Sequence, residues 1–285
     1  MKKTKKQKKI PIEKIEAMAA KGKDVSKYFS KGKMVSSLGK GSGQRTKKTP
    51  DKIHSWRLCP AGEHWVRTHP LTIPPSKNHP AGSVTTRRGH CAHNPSGRDQ
   101  LYPDEIHEME DNFPKVKEKP CPLGLGYERG TQYDDLIAGW TQYWNDVLQP
   151  ETPLDPNTVK ALMASESSFN PKKLANRRNQ NSARGLLQIT NETRKILGDE
   201  KGELKDHFIT VTREELNNPS NNICAGIRWL FRKCEIASSH WKRTATWDEA
   251  VYEFKGARIV TKERAATLMK RFNEKLENLK KCEKS

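Results

Sequence analysis

One glutamate in this sequence lies where a proton-donating acid is expected. Asp155 and Pro156 predict a helix start, since an acceptor side chain at the N-cap is followed by a residue whose φ already suits a helix. The apolar residues of that helix recur at intervals of three and four, which predicts one buried face, and they are Val159, Leu162 and Met163. Glu166 ends the run, and partial burial beside a negative helix end favours its protonated form. A general acid needs that form, although an ordinary solvated glutamate at a helix end is the alternative.

Three short motifs begin at or follow this glutamate. The first is ESSFNP at 166–171, the second is ARGLLQIT at 183–190, and the third is NPSNNICAGIRWL at 218–230. In this order and at this spacing they resemble the motifs of the lytic transglycosylase and goose-type lysozyme family. The resemblance covers roughly residues 131–275.

The resemblance implies a mainly α fold with a lysozyme-like catalytic domain, and a reaction on peptidoglycan. It assigns Glu166 as the catalytic acid that protonates the bond between N-acetylmuramic acid and N-acetylglucosamine. It places the GLLQ segment along the sugar cleft. The residues assigned to substrate binding on this basis are Ser167, Gly185, Leu187 and Gln188. Local capping of the helix end is the alternative role for the serine.

The sequence departs from the family where an AYNGG motif is expected, within residues 246–256. The best register puts Phe254 at the tyrosine, Lys255 at the asparagine and Gly256 at the glycine. The family's tyrosine hydroxyl is missing in this register, and Tyr252 lies two residues away, on another side of a helix. We therefore also assign Glu253 and Phe254 to the cleft.

Two reaction types remain open. A lytic transglycosylase needs one glutamate, because the sugar's own 6-hydroxyl replaces water as the nucleophile, whereas a lysozyme-type hydrolase uses a second acid to activate water. The candidates for that second acid are Asp199, Glu200, Glu214, Glu215 and Glu253, and spacing singles out none of them. We favour the transglycosylase, and we expect no cofactor for the catalysis.

Several helices must support this site. Apolar periodicity predicts helices from Tyr133 to about Pro150, over Ile189–Leu197, over Ile223–Ile236 and over Thr261–Lys281. The aromatic residues of the first of these follow its core-facing period, so we expect them in the core. The residue pattern divides the chain into a basic arm (1–50), a small Cys/His-rich module (51–102), a linker (103–130) and the lysozyme-like domain (131–285).

The module at 51–102 has too few apolar residues to fold on a core of its own. Cysteine and histidine at two loci suit a tetrahedral structural zinc. The best set is Cys59 and Cys91 with two of four histidines, and we assign His64 and His69 over His90 and His93. The alternative is surface histidines with small buried cysteines. Six cysteines in 285 residues do not look like a secreted disulfide scaffold.

The net charge of +19 attracts polyanions without choosing among them. Residues 1–50 carry sixteen Lys or Arg against three acids, which predicts an anchor to an anionic cell-wall or outer-membrane surface, or else a solubilising tail. No apolar run is long enough for a transmembrane helix, and no apolar region of a signal peptide follows the first lysines. We therefore expect synthesis in the cytoplasm and delivery to the periplasmic wall by phage lysis or injection. The alternative is a nucleic-acid or polyanion-binding protein with an inactive lysozyme-like domain, which sparse aromatic residues in the arm disfavour.

Overall fold

A kinked β-hairpin begins the part of the chain that the structure describes. The computed structural model describes residues 56–77 and 80–282, so the predicted basic arm at 1–50 lies outside it. Its first arm contains strands β1 (Glu63–Val66) and β2 (His69–Ile73), and its second arm contains β3 (Ser83–Arg87) and β4 (His90–His93). Strand β1 pairs antiparallel with β4, and β2 pairs antiparallel with β3 in the same register, so the four strands form one interrupted hairpin.

The break between the two halves of the hairpin has a packing reason. The indole of Trp65 lies against Gly89, where a Cβ atom would come within 2.4 Å of the ring. The N–H of Gly89 donates to the hydroxyl of Thr68 at 3.0 Å instead of continuing the strand ladder. A glycine is therefore needed at the point where the returning strand passes the tryptophan.

The predicted zinc site is wrong, because its two cysteines form a disulfide. Cys59 bonds Cys91 with their Cα atoms 5.6 Å apart, which leaves no thiolate for a metal. The ring of His64 bonds the amide oxygen of Asn94 at 2.8 Å, and that of His69 bonds the carbonyl of Arg67 at 2.9 Å. Nowhere in residues 56–77 and 80–282 do three His, Cys, Asp or Glu side chains gather in a way that could hold a metal ion.

The expectation against disulfides is also wrong. Cys121 and Cys282 form a second bridge across 161 residues of sequence. Cys224 and Cys234 lie on one helix and are both free cysteines. Sequence spacing could not separate disulfide from zinc at Cys59 and Cys91, since both need the two sulfurs close together.

Residues 103–130, which the sequence predicts as a linker, contribute several buried side chains to the core. Helix α1 (Pro103–Met109) runs into a 3₁₀ helix at Glu110–Lys115. Ile106 and Phe113 are fully buried. The ring of Phe113 fills the space beside Gly139 and meets the indole of Trp140 edge to face at 5.0 Å. The segment therefore belongs structurally to the helical body.

The helical body is mainly α, as predicted. It contains α2 (Asp134–Leu148), α3 (Pro156–Ser167), α4 (Asn191–Gly198), α5 (Pro219–Trp241), α6 (Trp247–Phe254) and α7 (Lys262–Cys282). A short parallel pair, β5 (Gln100–Leu101) and β6 (Phe208–Ile209), joins the end of the hairpin segment to this body. Among the helices that the structure describes, none combines the length and apolar character needed to cross a membrane.

The core forms around α2 and α5. The aromatic residues of α2 are buried there, which confirms the prediction from their spacing. The indole N–H of Trp140 donates to the hydroxyl of Ser220 at 2.8 Å, and that of Trp144 donates to the carbonyl of Cys224 at 3.1 Å. These bonds satisfy the only polar atom of each indole, so both rings are buried without an unpaired donor.

A buried arginine joins the hairpin base to the helical body. Arg57 is 6% exposed and binds both carboxylate oxygens of Glu105 on α1, at 2.8 and 3.0 Å. It also pairs with Asp99 and donates to the carbonyl of Glu63 in β1 at 2.7 Å. Asp99 in turn bonds the ring of His207 at 2.9 Å. Burial opposes ionisation of Asp99, but the His207 hydrogen bond and the Arg57 charge lower its pKa to about 2.

Candidate active site

Glu166 lies in the last turn of α3, at the end predicted for it. The carboxylate of Asp155 accepts from the N–H of Asn157 at 2.8 Å and caps the start of the helix. At the other end Ser168 and Phe169 both have positive φ, 56° and 60°, which stops the helix and turns the chain. The side chain of Glu166 is 20% exposed, so it reaches the surface beside a buried helix face.

An ion pair fixes α3 on its buried side. The ammonium of Lys160 donates to the carbonyl of Cys121 at 2.7 Å and to the carboxylate of Asp134 at 2.9 Å. Burial raises the pKa of Asp134 to about 6, against the opposing effect of Lys160. The helix that carries Glu166 is therefore fixed both to α2 and to the segment before it.

Lys255 is the ionic partner of Glu166. It caps the C-terminus of α6, and its Nζ pairs with Oε1 of Glu166 and donates to the hydroxyl of Ser165 at 3.0 Å. The side chain of Lys255 is only 5% exposed. Sequence comparison with the family motif placed this lysine at the asparagine position, but did not predict that it contacts the acid.

The segment after α3 folds back against Glu166. The ammonium of Lys173 donates to the backbone carbonyl of Glu166 at 2.7 Å. The carbonyl of Lys173 accepts from the N–H of Gly185 at 3.0 Å and from the side-chain amide of Gln188 at 3.1 Å. Gln188 also donates to the carbonyl of Gly185 at 2.8 Å. The predicted residues Gly185 and Gln188 are thus linked to the acid through one lysine.

The tight turn at 185–188 is held by α5. Gly185 has φ +78°, and a Cβ there would come within 2.1 Å of the Asn222 amide nitrogen. That amide accepts from the N–H of Leu187 at 2.8 Å and donates to the carbonyls of Arg184 and Leu216 at 3.1 and 3.0 Å. Asn222 comes from the third sequence motif, so α5 supports the site as predicted and its buried amide orders the turn.

The other residues predicted to bind substrate make contacts within the protein. Ser167 is buried and donates to the carbonyl of Met163 at 3.2 Å, so its hydroxyl is bonded within its own helix. Leu187 is buried in the core. Glu253 is buried and pairs with Arg258 at 2.6 Å, while Phe254 packs half-buried against the core.

The comparisons with known proteins agree with this geometry. Residues 146–248, about a third of the chain, match the family model for the Transglycosylase SLT domain. The chain therefore contains an SLT domain, and the SLT domain is characteristic of lytic transglycosylase enzymes. The match spans α3 with Glu166, the 185–188 turn and α5. No curated protein and no solved structure matches the chain at a significant level.

The SLT domain implies peptidoglycan as substrate and cleavage of the lytic transglycosylase type. The first and third predicted motifs supply the acid and its supporting helix within the matched range. Lys255 lies just beyond it, at the end of α6. The signal for this residue was present in the sequence, as a lysine in place of the family's asparagine.

Proposed function

We propose that this chain cleaves the bond between N-acetylmuramic acid and N-acetylglucosamine as a lytic transglycosylase, with Glu166 as its one acid–base residue. The observation that carries the proposal is the position of Glu166 at the end of α3, partly exposed beside the ordered 185–188 turn. A carboxyl anchored on a helix end and open to solvent on one side can reach a glycosidic oxygen in a cleft.

The proposed reaction has two proton transfers. Protonated Glu166 gives its proton to the glycosidic oxygen, the C1–O bond breaks, and an oxocarbenium-like muramyl centre forms. The Glu166 carboxylate then takes the proton of the sugar's 6-hydroxyl, whose oxygen bonds C1 and closes a 1,6-anhydro ring. Glu166 ends the cycle protonated, so no cofactor and no water is consumed.

The contacts of the other acids favour this route over hydrolysis. Among the described residues, no second carboxylate bonds Lys255, Ser165 or Lys173, the groups that surround Glu166. Three of the five acids considered from sequence are engaged elsewhere: Glu253 with Arg258, Glu214 with Arg213, and Glu215 with the N–H of Thr212. A hydrolase would need one of them to hold water opposite the sugar.

The substrate contacts remain proposals as well. Gln188 lies at positive φ at the surface of the turn, and we propose that it binds an acetamido group of the glycan. Phe254 would contact a sugar face. Ser167, Gly185 and Leu187 would act by holding the cleft wall, since each is buried or fixed in the turn. For Glu253 we propose a place at the cleft edge through its Arg258 partner.

The site of action is proposed to be the cell wall outside the cytoplasm. Two disulfides support an oxidising compartment, where such bonds form and persist. The net charge of +19 supports attraction to an anionic wall or outer-membrane surface. Delivery by lysis or injection, and anchoring by the basic arm, stay predictions.

Product analysis in isotopically labelled water tests the reaction type. Purified protein is incubated with peptidoglycan in H₂¹⁸O, and the released muropeptides are weighed by mass spectrometry. We expect 1,6-anhydro products that carry no ¹⁸O. Reducing ends that contain ¹⁸O would show a hydrolase instead, and no release from any wall type would favour the polyanion-binding alternative.

A further inference from the structure

The side chain of Lys255, which pairs with Glu166, is almost completely buried. Most lysine side chains in proteins are exposed. The Lys255 side chain is 5% exposed, against 20% for its partner Glu166. Lysine is rarely buried unless it is paired, because removing an ammonium from water is costly. Lys255 meets that cost with two partners, Glu166 and the hydroxyl of Ser165 at 3.0 Å. Both partners belong to the last turns of α3.

The chain fixes Lys255 in this position from both sides. Helix α6 begins with a capping box between Thr246 and Glu249, which orders its first turn. At its end the N–H of Lys255 donates to the carbonyl of Val251 at 2.9 Å, and Gly256 follows with φ +63° and turns the chain away. The ammonium is therefore presented by a rigid helix end.

Other charges near the pair are engaged separately. Lys173 donates to the backbone carbonyl of Glu166. Glu253 and Arg258, which flank Lys255 in sequence, pair with each other, and Lys233 of the adjoining α5 lies over the ring of Trp229. Lys275 of α7, which packs on α3, donates to the carbonyl of Leu125. Among the described residues, Lys255 alone forms an ion pair with the Glu166 carboxylate.

We propose that Lys255 is a positioning residue of the reaction: it orients the Glu166 carboxyl and stabilises the carboxylate left after the proton has been transferred. The proposal rests on the proposed function of Glu166. Where the family pattern has an asparagine amide, this chain places a full positive charge.

The physical reason is the change of charge at Glu166 during the first step. In the proposed first step the proton donor is the protonated acid, and transfer of its proton leaves a carboxylate beside the ammonium, the pairing that the structure shows. An interaction that strengthens as the reaction proceeds lowers the barrier.

The sign of the pH effect follows directly. Activity needs protonated Glu166, so it falls on the alkaline side as that proton is lost. Removing the ammonium takes away the charge that favours the carboxylate, so we expect the alkaline limb of the rate profile to move upward. On the low-pH plateau we expect the variant to be slower by roughly three- to tenfold, because it lacks the charge that stabilises the carboxylate at the transition state.

The test compares pH profiles of kcat/KM on solubilised peptidoglycan for wild type, Lys255→Met, Lys255→Arg and Lys255→Asn. Methionine keeps the length and apolar stem without the charge. Arginine keeps the charge, so we expect its alkaline limb close to that of wild type, whereas methionine and asparagine move it upward. Lys270→Met, which removes an exposed lysine of α7, serves as the matched control and should leave the profile unchanged.

Three outcomes would overturn the proposal. If Lys255→Met lowers kcat/KM by the same factor at every pH and leaves the alkaline limb unchanged, the lysine only stabilises the fold. A variant faster than wild type at every pH would show that the ammonium restrains the acid. A wild type that cleaves no peptidoglycan would overturn the proposed function itself, and the role of Lys255 with it.

Discussion

The hairpin segment (56–102) and the helical body (103–282) are stabilised by different interactions. The helical body has an extensive apolar core with fully buried aromatic residues from α2 and from the 3₁₀ helix at Glu110–Lys115. In the hairpin, β2 and β3 are almost wholly exposed, and Val84 is 72% exposed. Its base is fixed by the Cys59–Cys91 disulfide and the buried Arg57.

This difference in stabilisation means that the two regions should respond differently to mutation. The site around Glu166 lies on helices that are packed on several sides, which keeps the acid and Lys255 in register. The hairpin depends on a few specific links at its base, and its outer half contributes little to the core. Breaking these links one at a time shows how far each region depends on them.

The largest effect on stability is expected from the disulfide of the helical body. The bridge between Cys121 and Cys282 closes 161 residues, and its replacement by two alanines should lower the free energy of unfolding by up to about 5 kcal/mol. The bridge between Cys59 and Cys91 closes 32 residues, for which the same relation gives about 4 kcal/mol.

Urea unfolding of both double variants measures these losses. Val84→Thr is the control, since an exposed substitution should change stability by less than about 0.5 kcal/mol. A larger loss from the hairpin bridge than from the Cys121–Cys282 bridge would contradict the comparison between the regions.

The next effect is expected from Arg57→Met. It leaves Glu105 buried without its cation, and we expect a loss of about 3 kcal/mol in unfolding free energy. The double variant Arg57→Met, Glu105→Met removes both charges and should recover part of that stability. Chemical denaturation measures the unfolding free energy of both variants. A double variant less stable than the single variant would contradict the claim that the loss comes from an unpaired buried charge.

A smaller and pH-dependent effect is expected from Asp99→Asn. Asp99 has its folded-state pKa lowered to about 2, so its contribution is present above about pH 4 and is lost as pH falls through about 2. Wild type should exceed the variant by about 2 kcal/mol at pH 7, and the gap should close toward pH 2. Unfolding curves at several pH values measure it. Asp135→Asn, an exposed control, should show no such trend, and a constant gap for Asp99 would contradict the account.

The helices around the acid could be predicted from the sequence because their signals are local. The Asp155 cap, the apolar spacing of α3 and the motif at 218–230 each predict structure from neighbouring residues. The buried position of Arg57 could not be predicted in this way. Its partners Asp99 and Glu105 lie more than forty residues along the chain, and only the folded hairpin brings them together.

Three features of the molecule could be found only from the structure. The zinc prediction failed because close Cys and His residues allow two chemistries, and the geometry selected the disulfide. The pairing of Lys255 with Glu166 joins α6 to α3 across 89 residues, and no periodicity carries that information. The apolar residues of 103–130 are few and scattered along the sequence, so their burial became evident only from the way that the folded chain packs on them.

The most direct test of the central claim is the rate of peptidoglycan cleavage by Glu166→Gln. Glutamine keeps the shape of the side chain but has no proton to donate. With Glu192→Gln of α4 as control, we expect the Glu166 variant to lose at least about 10²-fold in kcat/KM while its unfolding curve stays close to that of wild type. A Glu166→Gln protein that cleaves peptidoglycan at the wild-type rate would contradict the account.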